Sequence, residues 1–403
     1  MNKGNLYDVI IAGGGPAGSA CALCLAHSGL KIAMIDKASF PRNKICGDAL
    51  SIDVIRQLPK LSEKLSEKFN KIENKISSRG LRIYGPSGEL LELFIKSRDN
   101  SCGYVLKRPV FDNMFHECLA ENPSIKFFEN CRAETVKRYD DHILLITSSG
   151  ELKGKIIIGA DGANSVISRH VQRHIKLKKH LCIGIKSYYK NVEGFHADGC
   201  IELHFYKNLL PCYFWIFPMH SNEANVGLGL MHQDLLKSKH SLKKIMSEII
   251  AEHPAVSPRF KNAQLISAAE AWPLPLAMDK KVISGERILL AGDAAGLIDP
   301  YTGEGVGNAI RSGRIAADHI SNCFKENNFS ASFNQLYDKE IYRRMWKELR
   351  INRSIQKILK YPKLIDYIIR KANKSNSFKN MLLLAIENDA AKEKMVKNLF
   401  LKK

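Results

Sequence analysis

A glycine-rich turn near the start of the chain, within YDVIIAGGGPAGSACALCLAHSGLKIAMIDK, restricts the fold more than any other segment. Residues 9–12 are typical of a short buried strand, and the turn that follows reads G-x-G-x-x-G, with glycines at Gly13, Gly15 and Gly18. The first glycine permits the turn, the second lets a pyrophosphate approach the backbone, and the third lets the next helix pack on the strand. Asp36 ends the second strand, where a carboxylate accepts ribose hydroxyls. This order of parts predicts an α/β unit that binds a dinucleotide.

A second motif, GERILLAGDAAGLIDPYTGEGVGNAIRSG, lies far downstream and repeats the order of strand, turn and helix. Residues 287–291 are typical of a buried strand, which Gly292 and Asp293 end. Gly303 and Gly305 then open a helix whose free N–H groups can face a phosphate or an electron-rich ring edge. The alternative is an ordinary strand, turn and helix with a structural aspartate. Two such motifs at opposite ends of the chain favour one extended cofactor over two nucleotides.

Three motifs, taken in order, resemble the FAD-binding set of a large flavoprotein family. They are GGGPAG, GADGANSVISR at residues 159–169 and GDAAGLIDPYTGEG at residues 292–305. The family includes aromatic hydroxylases, flavin halogenases and geranylgeranyl reductases. The resemblance implies a Rossmann-like α/β fold with FAD as the cofactor. The residues that it assigns to FAD binding are Gly13, Gly15, Pro16, Ala17, Gly18, Asp36, Lys37, Arg42, Cys46, Gly47, Arg108, Asp161, Gly292, Asp293, Gly303, Gly305 and Val306.

The same resemblance gives some of these residues separate tasks. Arg108 is expected to contact the FAD, and Asp293 is expected to bind its ribityl chain. Asp161 either lies near the pyrophosphate or serves the structure. Apart from the resemblance, the positive charges of Arg42 and Lys44 are expected to contact the cofactor or a lipid phosphate, with ordinary solvated charge as the alternative for each.

Two further segments point to one branch of the family. In YFWIFP, alternation along a strand places Tyr213, Trp215 and Phe217 on one face, ahead of Pro218. This Y-x-W-x-F-P pattern resembles the substrate-cavity signature of geranylgeranyl reductases, whereas flavin halogenases carry W-x-W-x-I-P. The segment PRNKICGDALS is similar to the P-x-x-K-x-C-G-x-x-L stretch of the same reductases. We therefore expect the residues of YFWIFP named above, Tyr213, Trp215, Phe217 and Pro218, to bind a long apolar substrate. The alternative is that the aromatic rings of this strand are simply part of a sheet core.

This resemblance implies an FAD-dependent reductase that saturates carbon–carbon double bonds of a polyprenyl chain of the geranylgeranyl type. Hydride would come from reduced flavin, and an acid would supply the proton. The electron donor is NAD(P)H or a reduced redox protein, because no second complete G-x-G-x-x-G marks a separate nicotinamide domain. One alternative is an FAD-dependent monooxygenase of an aromatic or quinone-like substrate. Another is a flavin-binding protein without turnover.

Cys46, in the segment FPRNKICGDALS, is the candidate catalytic residue. No partner ligands stand at usable spacing for zinc, so no metal is predicted. A disulfide is not expected in a cytoplasm. Two roles stay open for the thiol: it relays the proton to the substrate, or it fills space beneath the flavin.

The motif order predicts a discontinuous FAD-binding domain that is interrupted by a β-sheet domain. We predict the latter to be antiparallel and to bind the substrate. A C-terminal helical cap follows. The predicted boundaries are 1–80, 100–180 and 275–325 for the FAD-binding domain, 81–99 and 181–274 for the substrate domain, and 326–403 for the cap.

The formal net charge of +20 favours anionic partners, although a Lys-rich bias of the source genome also explains it. No nucleic-acid-binding motif accompanies the charge, so we expect no nucleic acid as a partner. The ten scattered cysteines and the lack of a secretory signal predict a cytoplasmic protein. The basic C-terminal helices either rest on the inner face of an anionic membrane or form an ordinary solvated cap. The oligomeric state is not indicated.

Overall fold

A computed structural model of the chain describes residues 6–95, 101–171, 180–387 and 389–400. The strands, in chain order, are β1 (Leu6–Ala12), β2 (Ile32–Ile35), β3 (Ala49–Leu50), β4 (Ile76–Ser78), β5 (Gly80–Tyr84), β6 (Leu90–Phe94), β7 (Gly103–Val105), β8 (Ile125–Phe128), β9 (Ala133–Arg138), β10 (Ile143–Thr147), β11 (Gly150–Gly159), β12 (Leu181–Lys190), β13 (Ile201–His204), β14 (Phe214–Met219), β15 (Glu223–Met231), β16 (Gln264–Leu265), β17 (Glu270–Pro275), β18 (Ser284–Gly285) and β19 (Ile288–Leu290).

The helices alternate with these strands in the first part of the chain and dominate its end. In chain order they are α1 (Pro16–Leu25), α2 (Ile52–Leu61), α3 (Glu63–Lys71), α4 (Arg108–Ala120), α5 (His232–Lys237), α6 (Leu242–Glu252), α7 (Val306–Lys325), α8 (Ala331–Ile358), α9 (Pro362–Lys374), α10 (Asn376–Glu387) and α11 (Asp389–Phe400).

The first sheet has a parallel centre in the order β19, β11, β1, β2 and β8. These strands are short apolar runs because helices cover both faces of a parallel sheet. The antiparallel strands β9 and β10 extend it from β11, and β18 pairs with β19. The carboxyl ends of β1, β11 and β19 therefore meet at one edge, although these strands come from distant parts of the chain.

Glycines hold the helices of this sheet in close contact with their neighbours. A Cβ atom on Gly18 would lie 2.0 Å from the carbonyl oxygen of Gly13, so α1 packs directly on the turn that precedes it. A Cβ atom on Gly313 in α7 would lie 2.1 Å from the carbonyl oxygen of Ala17. The two cofactor motifs, nearly 300 residues apart in the chain, are thus joined backbone to backbone along α1 and α7.

The second sheet runs in the order β17, β12, β15, β14, β13, β5 and β6, with β16 also paired to β12. Its pairings are antiparallel except for β5 with β13, which is parallel. A parallel pair needs a long connection. Here the chain between β5 and β13 includes strands β8 to β11, which belong to the first sheet. Along β14, Phe214 and Ile216 face a core shared with α6, and their neighbours face the opposite way.

Helices α8 to α11 form the predicted C-terminal helical region and close the molecule on one side. The side chain of Tyr337 in α8 is fully buried, and its hydroxyl donates to the carbonyl of Leu290 at 2.6 Å. Helices α9 to α11 pack against β5 and β6 through a shared apolar core that includes Leu91, Ile365 and Ile369. In the described part of the chain, no helix is both long enough and apolar enough to cross a membrane.

Replacing Gly313 by alanine tests the close contact between α1 and α7. Alanine gains about 1 kcal/mol of helix propensity over glycine. The added methyl group meets a backbone carbonyl that cannot move aside, and overpacking of this kind costs about 1–3 kcal/mol. We expect Gly313→Ala to unfold at lower urea concentration, with a net loss of up to about 2 kcal/mol in the free energy of unfolding. The control is Ser321→Ala on an exposed position of the same helix. A Gly313→Ala midpoint at or above wild type would contradict the close packing.

Candidate active site

A cavity of about 1250 Å³ lies between the two sheets and reaches the C-terminal helices. Its floor is the edge of the first sheet where β1, β11 and β19 end, and its roof is one face of the second sheet. Nearly every residue that the sequence motifs assign to FAD binding lies on this wall. The exception is Gly18, which instead provides the contact between α1 and the preceding turn.

The turn after β1 and the end of β2 form one end of the cavity. Gly13 has a φ of +112°, a backbone conformation that favours glycine, and its missing side chain leaves room for the backbone of Ala160. The buried carboxylate of Asp36 accepts hydrogen bonds from the N–H of Gly14 at 2.8 Å and of Ala38 at 3.0 Å. Since each oxygen has a further lone pair, Asp36 can also accept ribose hydroxyls. This end therefore combines a glycine-lined turn with a carboxylate acceptor, and both suit an ADP group.

The start of α7 forms the next part of the wall. Gly292 and Gly303 have φ values of +60° and +72°, so the chain bends sharply on both sides of Asp293. Asp293 faces the helix start closely, since a Cβ atom on Gly305 would lie 3.2 Å from its Oδ1 atom. A long helix whose first N–H groups border a cavity favours a ligand that carries negative charge or electron-rich atoms. The two cofactor motifs therefore line one continuous cavity.

Asp161 lines the cavity and also holds the loop that follows β11. Its carboxylate accepts hydrogen bonds from the N–H of Val166 at 2.7 Å and from the Ser165 hydroxyl at 2.5 Å. Burial raises the pKa of Asp161, and these hydrogen bonds oppose that rise. Of the two roles that the sequence leaves open, the observed contacts are those of a structural aspartate beside the cofactor space.

Arg108 begins α4 and is buried beside the Cys46 segment. Its guanidinium donates to both oxygens of Asp112, at 2.7 Å and 2.8 Å, and is close enough to Cys46 to interact with it electrostatically. Burial disfavours the charged form, but Asp112 and Cys46 hold the pKa of Arg108 above its ordinary value. Arg42 extends the same ion network, with 3.4 Å contacts to Asp112 and to Asp36.

The Cys46 segment lies directly against the aromatic strand. A Cβ atom on Gly47 would lie 3.0 Å from the ring of Phe217, so glycine allows this approach. The Asn225 side chain donates to the carbonyl of Cys46 at 2.8 Å and accepts from the indole N–H of Trp215 at 2.9 Å. The structure therefore brings together the two segments from which the sequence predicts a geranylgeranyl reductase.

Asp48 fixes this segment, and sequence reasoning missed it. Asp48 is fully buried and has a φ of +64°, which is rare for a residue other than glycine. Its carboxylate accepts from the Tyr188 hydroxyl at 2.6 Å, from Asn225 at 2.9 Å and from the N–H of Arg108 at 3.2 Å. Burial raises the pKa of Asp48, and these donors oppose the rise. No local pattern marks an aspartate whose partners are this distant in the chain.

The aromatic strand presents three rings to the cavity. Tyr213, Trp215 and Phe217 all line it, with ring centres 6.2 Å and 6.0 Å apart in succession. The Tyr213 hydroxyl donates to the carbonyl of Thr302, which ties this strand to the loop before α7. Pro218, which the sequence also predicts to bind substrate, is buried in β14 and is not among the described residues that line the cavity.

The roof changes in polarity from one side of the sheet to the other. At the β12 and β17 side, the buried Lys186 ammonium pairs with Glu270 at 2.9 Å, and Lys44 lies over the Trp272 ring at 4.3 Å. At the other side, strands and C-terminal helices form what we call the aliphatic sleeve. Its members are Leu81, Ile83, Leu91, Leu93, Ile201, Leu203, Ile355, Ile358, Leu359, Ile365, Ile368, Ile369, Leu382, Ala385, Ile386 and Met395.

The residues of the cavity wall fit a flavin dinucleotide. Among the described ranges, no group of three or more His, Cys, Asp or Glu side chains is arranged to hold a metal ion. The ten cysteines are free thiols. The glycine-lined turns at Gly13, Gly292 and Gly303, with the acids Asp36 and Asp293, provide a cradle that side chains would otherwise fill.

Known proteins with similar sequences support this interpretation. The family model described as FAD binding domain matches residues 6–347. A digeranylgeranylglycerophospholipid reductase of Thermoplasma acidophilum is 30% identical, over 84% of this chain and 84% of that protein. A menaquinone reductase of Mycobacterium tuberculosis is 24% identical, over 96% of this chain and 92% of that protein.

A solved structure shares the fold over nearly the whole length. The crystal structure of a geranylgeranyl bacteriochlorophyll reductase-like protein from Thermoplasma acidophilum matches with a TM-score of 0.78 and 26% identity, covering 91% of each chain. Both the predicted fold class and the predicted family are therefore confirmed. With a family model over most of its length and a relative at 30% identity, the chain belongs to the geranylgeranyl reductase family of FAD-dependent oxidoreductases.

Proposed function

We propose that this protein saturates carbon–carbon double bonds of a polyprenyl chain by hydride transfer from FAD. The observation that carries the proposal is the aliphatic sleeve, which is continuous with the cofactor end of the cavity. Its wall offers methyl and methylene groups from β5, β6, β13 and α8 to α11. A surface of this kind suits a long flexible hydrocarbon, whereas a compact polar aromatic needs converging hydrogen-bond partners.

We propose that the cofactor lies across the floor of the cavity. The turn at Gly13 to Ala17 and the carboxylate of Asp36 would hold the ADP half, and Asp293 would hold the ribityl chain. Gly303 to Val306 would face the ring system with the first N–H groups of α7. Bound FAD supplies hydride in its reduced form. Lys37, Arg42 and Arg108 would provide positive charge along this path, and the electron donor would be NAD(P)H or a small redox protein.

Cys46 would line the reaction site and relay a proton to the alkene. The proposal is supported by the contact of its segment with Phe217 and Trp215 and by the guanidinium of Arg108 beside its thiol. The rings of Tyr213, Trp215 and Phe217 would hold the chain against the cofactor. An isolated alkene accepts hydride poorly, so the timing and position of the proton matter.

We further propose that α9 and α10 rest on an anionic membrane at the end of the aliphatic sleeve. Residues 357–379 carry seven Lys or Arg and one acid, Asp366, whose carboxylate is turned inward to the N–H of Ser87. Tyr361, Tyr367 and Leu384 expose at least half of their area, and Ile386 is both exposed and part of the sleeve. Basic and apolar groups together are the composition of a membrane-surface helix.

The reductase activity is tested by anaerobic incubation of chemically reduced protein with candidate lipids. We expect digeranylgeranylglycerophospholipid, menaquinone or both to gain pairs of hydrogen atoms, detected by mass spectrometry. Protein without FAD serves as the control. Unchanged lipid masses with all prenyl substrates would overturn the proposal. An oxygen-dependent gain of one oxygen atom in an aromatic substrate would support a monooxygenase instead.

Replacing Cys46 by alanine is expected to slow saturation of the alkene about 100-fold, the usual effect of losing a proton-transfer group. FAD affinity, measured by fluorescence titration, should stay near that of wild type, because the segment is held by its backbone and by Asp48. The matched control is Cys102→Ala, since Cys102 is a buried thiol outside the described cavity wall. Full activity of Cys46→Ala would leave the thiol a packing role only.

Replacing Lys360 and Lys363 together by glutamine tests the membrane surface. Each lysine near an anionic bilayer contributes about 1 kcal/mol, so the double variant should bind phosphatidylglycerol vesicles roughly 30-fold more weakly. Flotation at low salt measures this. The control is Lys239→Gln with Lys243→Gln, which removes the same charge beside α6. Equal loss in both double variants, or none in either, would contradict the assignment to α9 and α10.

A further inference from the structure

Glu304 lies on the cavity wall in the loop directly before α7. Its carboxylate accepts a hydrogen bond from the Ser51 hydroxyl at 2.6 Å. Ser51 is the N-cap residue of α2 and the last residue of the Cys46 segment. The side chain of Glu304 therefore spans from the second cofactor motif to the segment that carries Cys46.

Charged groups surround Glu304 from each element packed against it. Asp53 faces it from α2, Asp299 from its own loop and Arg311 from α7. Arg311 pairs with Asp53 at 2.7 Å and with Glu348 of α8 at 3.0 Å. Arg311 thus forms its ion pairs with two other carboxylates. Within the residues that the structure describes, Glu304 has no ion pair with Arg311 and accepts its hydrogen bond from the neutral hydroxyl of Ser51.

Gly307 makes this arrangement possible. A Cβ atom at Gly307 would lie 2.7 Å from the Oε1 atom of Glu304 and 2.8 Å from the Oδ2 atom of Asp53. The two carboxylates therefore approach the first turn of α7 from the cavity side and from the α2 side. Since the Asp53 side chain is 38% exposed, this side is also reached by water, which can supply protons.

The surroundings of Glu304 bring the pKa of its carboxyl group close to neutral pH. Burial raises the pKa of Glu304 to about 7, the Ser51 hydrogen bond opposes the rise, and Asp53 and Asp299 add to it. A general acid works best when its pKa is close to the pH at which it acts. At neutral pH this carboxyl group is present in both forms.

We propose that Glu304 is the proton source for saturation of the prenyl double bond, which rests on the proposed function above. The π bond of the alkene breaks, one carbon takes hydride from the reduced cofactor, and the other takes a proton that leaves Glu304. The cofactor is oxidised, the alkene is reduced, and the Glu304 carboxylate regains a proton from water. A relay through Cys46 needs such a source, because a thiol that gives up its proton must receive another.

Glu304→Gln separates this role from a structural one. Glutamine keeps the length and the acceptor oxygen for Ser51 but carries no transferable proton. In single turnovers of reduced protein we expect the wild-type rate to fall as pH rises through about 7, since the acid form is lost. In the variant we expect a rate roughly 100-fold lower with that pH dependence removed. Glu304→Asp should recover part of the rate.

A second measurement does not depend on activity. Infrared titration of FAD-free protein should show a protonated-carboxyl band that fades with a midpoint at about pH 7 and is missing in Glu304→Gln. Ser51→Ala removes the hydrogen bond that favours the ionised form, so it should move this midpoint to higher pH. Glu348→Gln, one ion pair further away, is the matched control: the band should remain, and its midpoint should move to lower pH because Arg311 loses a competing carboxylate.

The outcomes distinguish the two proposals. If wild-type protein saturates the lipid and Glu304→Gln does so with the same rate and pH profile, the assignment of Glu304 is wrong and the reductase function stands. A Glu304 that is ionised throughout the infrared titration overturns the assignment even without any substrate. If wild type reduces no prenyl lipid, the reductase function fails and the role of Glu304 falls with it.

Discussion

The hydrogen bonds to the buried carboxylate of Asp48 hold the site together. They come from Tyr188 and Asn225 of the second sheet and from the N–H that begins α4. A buried charge without such partners costs several kcal/mol, so these contacts offset that cost and hold Asp48 in its left-handed backbone conformation. The consequence is that the Cys46 segment has one position, between the roof and the floor of the cavity.

The same segment is coupled to the cofactor end by charge. Asp36, Arg42, Asp112 and Arg108 alternate in sign and form a chain of ion pairs, and its last member, Arg108, interacts electrostatically with Cys46. Because Asp36 ends β2 and Arg108 begins α4, the network joins the first sheet to the wall beside the aromatic strand. A group bound at Asp36 and a group bound at Cys46 therefore share neighbours, which suits a reaction between a cofactor and a substrate.

The sequence predicts those parts of this arrangement that are local. The turn from β1 to α1, the acid at the end of β2 and the alternation along β14 depend on residues close in the chain, and period and spacing reveal them. The contacts of Asp48 do not, since Tyr188 and Asn225 are 140 and 177 residues away. The parallel pairing of β5 with β13 is hidden for the same reason. Glu304 stands inside a recognised motif, yet its environment comes from α2, which no local pattern links to it.

Helix α8 shows why the C-terminal region belongs to the site and is more than a cover. Glu348, Asn352 and Ile355 of α8 and Leu359, which caps its end, are spaced by three or four residues and line the cavity. The first two are polar and lie toward Arg311 and Asp299, and the last two belong to the aliphatic sleeve. One helix thus sets both the polar surroundings of Glu304 and the apolar path beyond it. In the proposed reaction, a prenyl chain along this helix would keep its hydrocarbon in the sleeve and place a double bond where polarity changes, near the proposed proton source.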